Sequence, residues 1–200
     1  LAHLAMLERK YSGLAETRIA IQASYDKLIE GRDLEFHLAY AATLELMFGP
    51  FASFVIENHE PMFKGSDTRI ASFWLWHLVE EFEHRHSAIN VFNAVVGSHW
   101  RRIKHFPAIV AHVNAIYQLC IKGFEQCIPQ KDWDAVGPVD TAKMFDQVKL
   151  SQKLAMGYKL FCTLLPMHNP ENVHEPQWAK KWFIDADAGM DMTQYYQSHV

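Results

Sequence analysis

The 200 residues are half apolar and 13% aromatic, with 21% charged side chains and a formal net charge of −4 when histidine is neutral. This composition can bury one sizeable core, so we expect one compact domain. The acidic balance, with no basic run longer than Arg101-Arg102, excludes the charge pattern of a nucleic-acid binder. We therefore expect a small molecule or another protein as the partner.

Cysteine usage and the absence of targeting patterns favour the cytoplasm. Cys120, Cys127 and Cys162 are widely spaced and include no CxxC pair, which is typical of free thiols in a reducing compartment. No apolar stretch approaches 18 uninterrupted residues, and no basic segment precedes an apolar one at the start, so we expect no membrane span or signal. The sequence opens at Leu1 within a helical pattern, so we expect the natural amino terminus to lie further upstream.

Apolar residues recur at three- and four-residue steps through most of the chain, which predicts an all-α protein. Turn-forming residues separate the predicted helices, which span residues 1–12, 15–30, 33–58, 68–97, 107–127 and 139–165. Pro50 either kinks the third helix one turn after Glu45 or marks its end near Gly49. The periodicity fails from Pro166. Residues 1–165 are therefore predicted to form a helical bundle, and residues 166–200 an irregular arm packed on it.

The densest set of potential metal ligands lies in the fourth predicted helix. At about 100° per residue, His77, Glu81 and His84 share a stripe about 60° wide. The stripe continues through apolar residues, so we expect it to face the core: Ile70, Phe73, Ala88 and Val91. A carboxylate buried between two imidazoles is costly unless it coordinates a cation, so the pattern predicts a metal site. Glu80, at the edge of the stripe, is expected to orient the ligands or to face the substrate.

Glu45 offers a further carboxylate on the preceding helix. Small residues share its helical face and would allow close helix approach or leave room for a ligand: Ala41, Ala42, Gly49 and Ala52. A glutamate on one helix and Glu-x-x-His on the next is the pattern of ferritin-like bundles, where mixed oxygen and nitrogen ligands suit iron or manganese. We therefore predict a ferritin-like helical bundle that binds two iron ions, with Glu45 and Glu81 as bridging or chelating ligands and His77 and His84 as terminal ligands.

The same segment reads Trp76-His77-x-x-Glu80-Glu81-x-Glu83-His84 and is followed by Gly97-x-x-Trp100-Arg101. With this signature, residues 34–102 resemble a bacterial family described as predicted metal-dependent hydrolases. The order of Glu45 and then His-x3-Glu-x2-His is also similar to the p-aminobenzoate N-oxygenases, which are ferritin-like di-iron enzymes.

The resemblance implies two earlier site helices, one with a glutamate and one with Glu-x-x-His, often followed by another histidine. The sequence contains neither carboxylate helix, and His3 looks like the trailing histidine. The family often has a His-Pro pair after the bundle, for which His168 in Met167-His168-Asn169-Pro170 is an imperfect counterpart. His3 and His168 are therefore additional ligand candidates, whereas His112 is expected to be a satisfied core histidine.

Three functions are compatible with this pattern. The preferred hypothesis is a di-iron enzyme that activates dioxygen to oxidise a small organic substrate, with electrons from a separate reductase. The first alternative is a metal-dependent hydrolase that uses metal-activated water. The second is a metal-storage helical protein without substrate chemistry, which would lack a small cavity beside Glu45. The large apolar fraction and the six tryptophans are compatible with a homodimer.

Overall fold

The computed structural model describes residues 2–132 and 145–197, with side chains from residue 5 onward. Regular secondary structure in these ranges is helical throughout, which confirms the all-α prediction. The chain divides into two compact units, each described by itself below. The first comprises Leu1–Tyr40 and Trp100–Val139, and the second comprises Ala41–His99 and Asp140–Val200.

Ten α-helices have both ends within the described ranges. They are α1 (Ala2–Lys10), α2 (Leu14–Glu30), α3 (Leu34–Glu57), α4 (His59–Phe63), α5 (Thr68–His84), α6 (Ser87–Val95), α7 (His99–Ile103), α8 (Phe106–Cys127), α9 (Leu150–Cys162) and α10 (Gln177–Asp187). Short 3-10 turns lie at Pro170–Asn172 and Met192–Gln194.

Four of the predicted helices agree with α1, α2, α3 and α8 to within a few residues. Helix α3 continues through Pro50 to Glu57, so the alternative of an end near Gly49 is wrong. The helix predicted over 68–97 is two helices, because the chain turns at Arg85 and His86 before α6 begins. The helix predicted over 139–165 is interrupted at residues 147–149, and α9 begins at Leu150; residues 139–144 lie outside the described residues.

The arm after residue 165 is more ordered than its sequence indicates. It contains α10, whose Ala179 and Trp182 are buried. Tyr196, near the end of the described residues, is also buried and its backbone N–H donates to Ser72 Oγ at 2.8 Å. The segment therefore contributes to the core of the second unit, through contacts that its irregular spacing of apolar residues does not reveal.

Close contact between α2 and α8 organises the first unit. Gly123 on α8 faces Thr17 on α2 so closely that a Cβ atom at Gly123 would lie 2.3 Å from Thr17 Oγ1. Gly13, immediately before α2, contacts Cys127 in the same way, with 2.5 Å between its would-be Cβ and the Cys127 sulfur. Glycine at these two positions lets the helices approach more closely than any side chain would allow.

Polar side chains from α2, α3 and α8 hydrogen-bond to one another inside the first unit. The Tyr40 hydroxyl lies 3.0 Å from His112 Nδ1, and Ser24 Oγ lies 3.3 Å from His112 Nε2. Tyr25 packs edge-on against the same imidazole, with 5.0 Å between ring centroids. Burial raises the pKa of Tyr40, and its hydrogen bond with Tyr25 raises it further. His112 is thus a satisfied histidine, as predicted.

Glu35, near the start of α3, is held by three cationic or ionisable side chains. Lys104 Nζ lies 2.7 Å from its carboxylate, Arg101 forms a second ion pair, and His105 Nε2 lies 3.3 Å away. Lys104, then Arg101 and His105, lower the pKa of Glu35 to about 2 by hydrogen bonding, against an opposing effect of burial. Arg101 belongs to the family-like signature, and in the structure it supports the first unit.

The second unit is built around an apolar core from α3, α4, α5 and α10. The fully buried members from α3 and α5 include Ala52, Ile56, Leu75, Val79 and Phe82. Among the described residues, α3 is long and apolar enough to cross a bilayer, as judged by its length and composition alone. The core helix of a globular protein can be equally long and apolar, and 61% of the most apolar 18-residue stretch of α3 is buried within the protein.

Candidate metal-binding site

Helix α5 carries the predicted ligands and begins at a well-formed cap. The Asp67 side chain accepts hydrogen bonds from the backbone N–H groups of Arg69 and Ile70, at 2.9 and 3.1 Å. One face of the helix is buried in the core of the second unit: Ala71, Ser72, Leu75, Leu78, Val79 and Phe82. The opposite face carries His77, Glu81 and His84.

The prediction that the ligand stripe faces the core is wrong. Its apolar members on α5 are exposed, with Ile70 at 59% and Phe73 at 50% of their maximal exposed area. The break after α5 places Ala88 and Val91 on a different helix. The face that is buried instead carries Leu75, Leu78 and Phe82, which pack into the core of the second unit. The cost of burying a carboxylate beside imidazoles therefore does not arise here.

His77 and its two acidic neighbours form the closest grouping on this face. His77 Nε2 lies 3.6 Å from Glu81 Oε1, and His77 Nδ1 lies 4.0 Å from Glu80 Oε2. The side chains are 44% exposed for His77 and 30% for Glu81. Trp74 and Trp76 flank the imidazole, with ring centroids 6.3 and 6.4 Å away. The helix thus presents an imidazole and two carboxylates between exposed indole rings.

Glu45 has a different partner from the one predicted. Its carboxylate accepts a hydrogen bond from the backbone N–H of Ala88, in the first turn of α6. The N–H groups of a first turn have no partner within their own helix, and a carboxylate is favourable there for the helix dipole. Glu45 therefore acts as a cap supplied by α3, and this contact accompanies the break between α5 and α6.

Three of the four small residues beside Glu45 are buried in helix packing, whereas Ala41 is exposed. Ala42 and Ala52 are fully buried, and a Cβ atom at Gly49 would lie 3.3 Å from Arg85 Cβ. Arg85 is held beside Gly49 because its guanidinium also lies over the Phe82 ring, 4.2 Å from the centroid. The space expected for a ligand next to Gly49 is therefore occupied by a side chain.

The remaining candidate ligands lie apart from the His77 group. His84 is exposed at the end of α5. His168 lies in the segment after α9, and the side chain of His3 lies outside the described residues. Within the part of the chain that the structure describes, no three His, Cys, Asp or Glu side chains converge as a metal ion would require. The pair of His77 and Glu81 does not by itself make a complete metal site.

The second unit contains a cavity that the sequence did not predict. It has a volume of about 660 Å³ and lies between Pro50 of α3, the last turns of α9 and the segment that follows, including His168. The only signal available in advance is the spacing of Tyr158 and Cys162, one helical turn apart, whose side chains share a hydrogen bond. That spacing is too common to single out a binding site.

The chain is similar to a described protein family. A family model described as predicted metal-dependent hydrolase matches residues 2–171, a range that includes α5 and α6. The chain belongs to this family. The match confirms the first of the two resemblances. No curated protein and no solved structure matches the chain. The family description implies a metal cofactor and hydrolysis, and it specifies neither the metal nor the substrate.

Proposed function

We propose that this protein is a metal-dependent hydrolase acting on a small organic substrate, with His77 and Glu81 on the outer face of α5 as metal ligands. The observation that supports the proposal most is the family match over residues 2–171, which contains this pair. It favours hydrolysis over dioxygen activation, the function preferred from the spacing of ligands alone.

The chemistry of the pair is suited to a divalent metal. An imidazole and a carboxylate at i and i+4 lie on the same side of a helix, 3.6 Å apart, and both reach solvent. Further ligands are needed, and we assign His84 as the next one because it follows Glu81 by three residues on the same stripe. Glu45 would join only if its carboxylate left the Ala88 N–H. These ligands alone do not complete a metal site, so no catalytic step is assigned to the metal.

The exposed stripe indicates where the missing ligands would come from. Ile70 and Phe73 expose half or more of their surface on the same side of α5 as His77, and such apolar faces are usually covered by another element. An element that covered this stripe could add the carboxylates that the His77 group lacks. We propose that a complete site of this kind binds two metal ions, iron or manganese.

The assignment is tested by metal analysis with matched glutamate variants. The protein is loaded anaerobically with Fe²⁺, Mn²⁺ or Zn²⁺, dialysed, and its metal content measured by elemental analysis. Glu81→Gln should lower metal affinity at least about tenfold, whereas Glu83→Gln, on the same helix but off the stripe, should leave it unchanged. Equal retention of metal by both variants would sink the assignment of Glu81.

Activity assays then separate hydrolysis from the two other functions. Metal-supported cleavage of aryl ester or phosphoester probes, in the absence of reductant and abolished by Glu81→Gln, is the result that the proposal expects. Consumption of dioxygen by the Fe²⁺-loaded protein without hydrolysis would instead favour the oxygenase. Retention of metal without either activity across these probes would favour storage.

A further inference from the structure

The cavity beside α9 has the size and construction of a small-molecule site. Its volume of about 660 Å³ lies within the usual range of about 300–1,000 Å³ for such sites. One wall is Pro50, which is buried in α3. The opposite wall consists of Tyr158, Lys159 and Cys162 from α9, and the segment over residues 165–174 completes it. All of these residues belong to the second unit.

The segment over residues 165–174 is held in place by hydrogen bonds. The Arg85 guanidinium donates to the carbonyl oxygen of Pro170 at 3.2 Å and to that of Phe82 at 2.9 Å. The Asn169 side chain accepts from the backbone N–H of Glu171 at 3.0 Å. These contacts fix the cavity wall to the end of α5, so a ligand would meet a largely formed site.

The side chains that line the cavity combine apolar surface with basic groups. The apolar ones are Pro50, Leu165, Met167 and Val173, and the basic ones are Lys159, His168 and His174. No aspartate or glutamate is among the lining residues that the structure describes. Lys159 also has no carboxylate within ion-pair distance in the described ranges. An ammonium group beside an apolar cavity selects for a ligand with an anionic head and an apolar body.

We propose that this cavity binds a small carboxylate with an apolar body, of the class of medium-chain fatty acids. The carboxylate pairs with Lys159, and the hydrocarbon chain packs between Pro50 and the apolar side chains of the 165–174 segment. Binding needs no metal ion and does not depend on the function proposed for α5. The assay is therefore carried out on metal-free protein in the presence of a chelator, so the two proposals fail separately.

Cys162 provides a built-in reporter for this site. Its half-buried thiol lines the cavity and shares a hydrogen bond with Tyr158, which raises the pKa of that tyrosine. Cys120 and Cys127 are also half-buried but lie in the first unit, so they serve as internal controls. The rate of iodoacetamide alkylation at each cysteine is followed by peptide mass spectrometry, with octanoate as the probe and octylamine as the cationic control.

By mass action, a ligand at about five times its Kd slows alkylation of a blocked thiol about sixfold. We expect octanoate at about five times its Kd to slow alkylation of Cys162 by about this factor, with Cys120 and Cys127 unchanged. Lys159→Ala should reduce the effect to less than about twofold. Lys153→Ala, on α9 but away from the cavity, should retain it.

Three results would overturn the proposal. They are no protection of Cys162 by octanoate, equal protection by octylamine, and equal slowing at all three cysteines. Lys159→Gln keeps most of the length of the side chain without its charge. It serves as a second variant if Lys159→Ala changes the far-UV circular dichroism of the protein. Full protection in a folded Lys159→Gln protein would also contradict the role of the charge.

Discussion

The contact between Gly123 and Thr17 provides the sharpest test of how the first unit is packed. In Gly123→Ala, the new methyl carbon would lie 2.3 Å from Thr17 Oγ1, 2.4 Å from Cγ2 and 2.8 Å from Cβ. A rotation of the threonine side chain can move Oγ1 and Cγ2, but it cannot move Cβ. Helices α2 and α8 must therefore separate, which disturbs the close packing on both sides of the contact.

The magnitude follows from two opposing effects. Overpacking of this kind costs about 2–3 kcal/mol when backbone has to shift. Replacing glycine by alanine within a helix contributes about 1 kcal/mol of stabilisation through helix propensity. The net expectation for Gly123→Ala is a loss of about 1–2 kcal/mol in the free energy of unfolding. For a chain of this size, that loss corresponds to a fall of about 2–8 °C in Tm.

Urea unfolding followed by far-UV circular dichroism measures the change, with Gly157→Ala as the matched control. Gly157 also lies within a helix, α9, but nothing lies within 4 Å of its would-be Cβ. The Gly157→Ala substitution should therefore raise the free energy of unfolding by about 0.5–1 kcal/mol. A Gly123→Ala protein as stable as the parent, or stabilised like Gly157→Ala, would refute the close approach of α2 and α8. Adding Thr17→Gly should recover most of the loss, because it removes all three clashing atoms.

Three further predictions concern polar contacts, each read from urea unfolding. Glu35 has a folded-state pKa of about 2 against 4.5 for the free side chain, so its contribution to stability is present above about pH 4.5 and lost as the pH falls through 2. Glu35→Gln should therefore flatten the dependence of the free energy of unfolding on pH in this acid range. An unchanged pH dependence would contradict the ion pairs. Glu45→Ala should cost about 1 kcal/mol because the Ala88 N–H loses its acceptor, with Glu45→Gln intermediate; no loss would exclude the capping role. Tyr40→Phe should cost about 1–3 kcal/mol by removing the partner of His112 Nδ1, and a neutral result would argue against that hydrogen bond.

The helical class of the protein and the positions of several helices follow from the sequence alone. A repeat of apolar residues at three- and four-residue steps is a local property, so α2, α3 and α8 could be placed closely in advance. The grouping of His77 with Glu81 is local in the same sense, since residues four apart on a helix lie on the same side of it. Membership of the hydrolase family is also a property of the sequence, expressed in the signature around α5.

Which face of α5 meets the core was decided only by tertiary structure. Both faces carry apolar side chains, and periodicity cannot rank them without knowing what packs against each; the face with Leu75 and Phe82 is buried, and the face with His77 is exposed. The partner of Glu45 is likewise non-local, because the Ala88 N–H lies 43 residues further along the chain. A sequence specifies which groups each helix presents, but burial and hydrogen bonding between distant helices depend on how their faces compete for the same core.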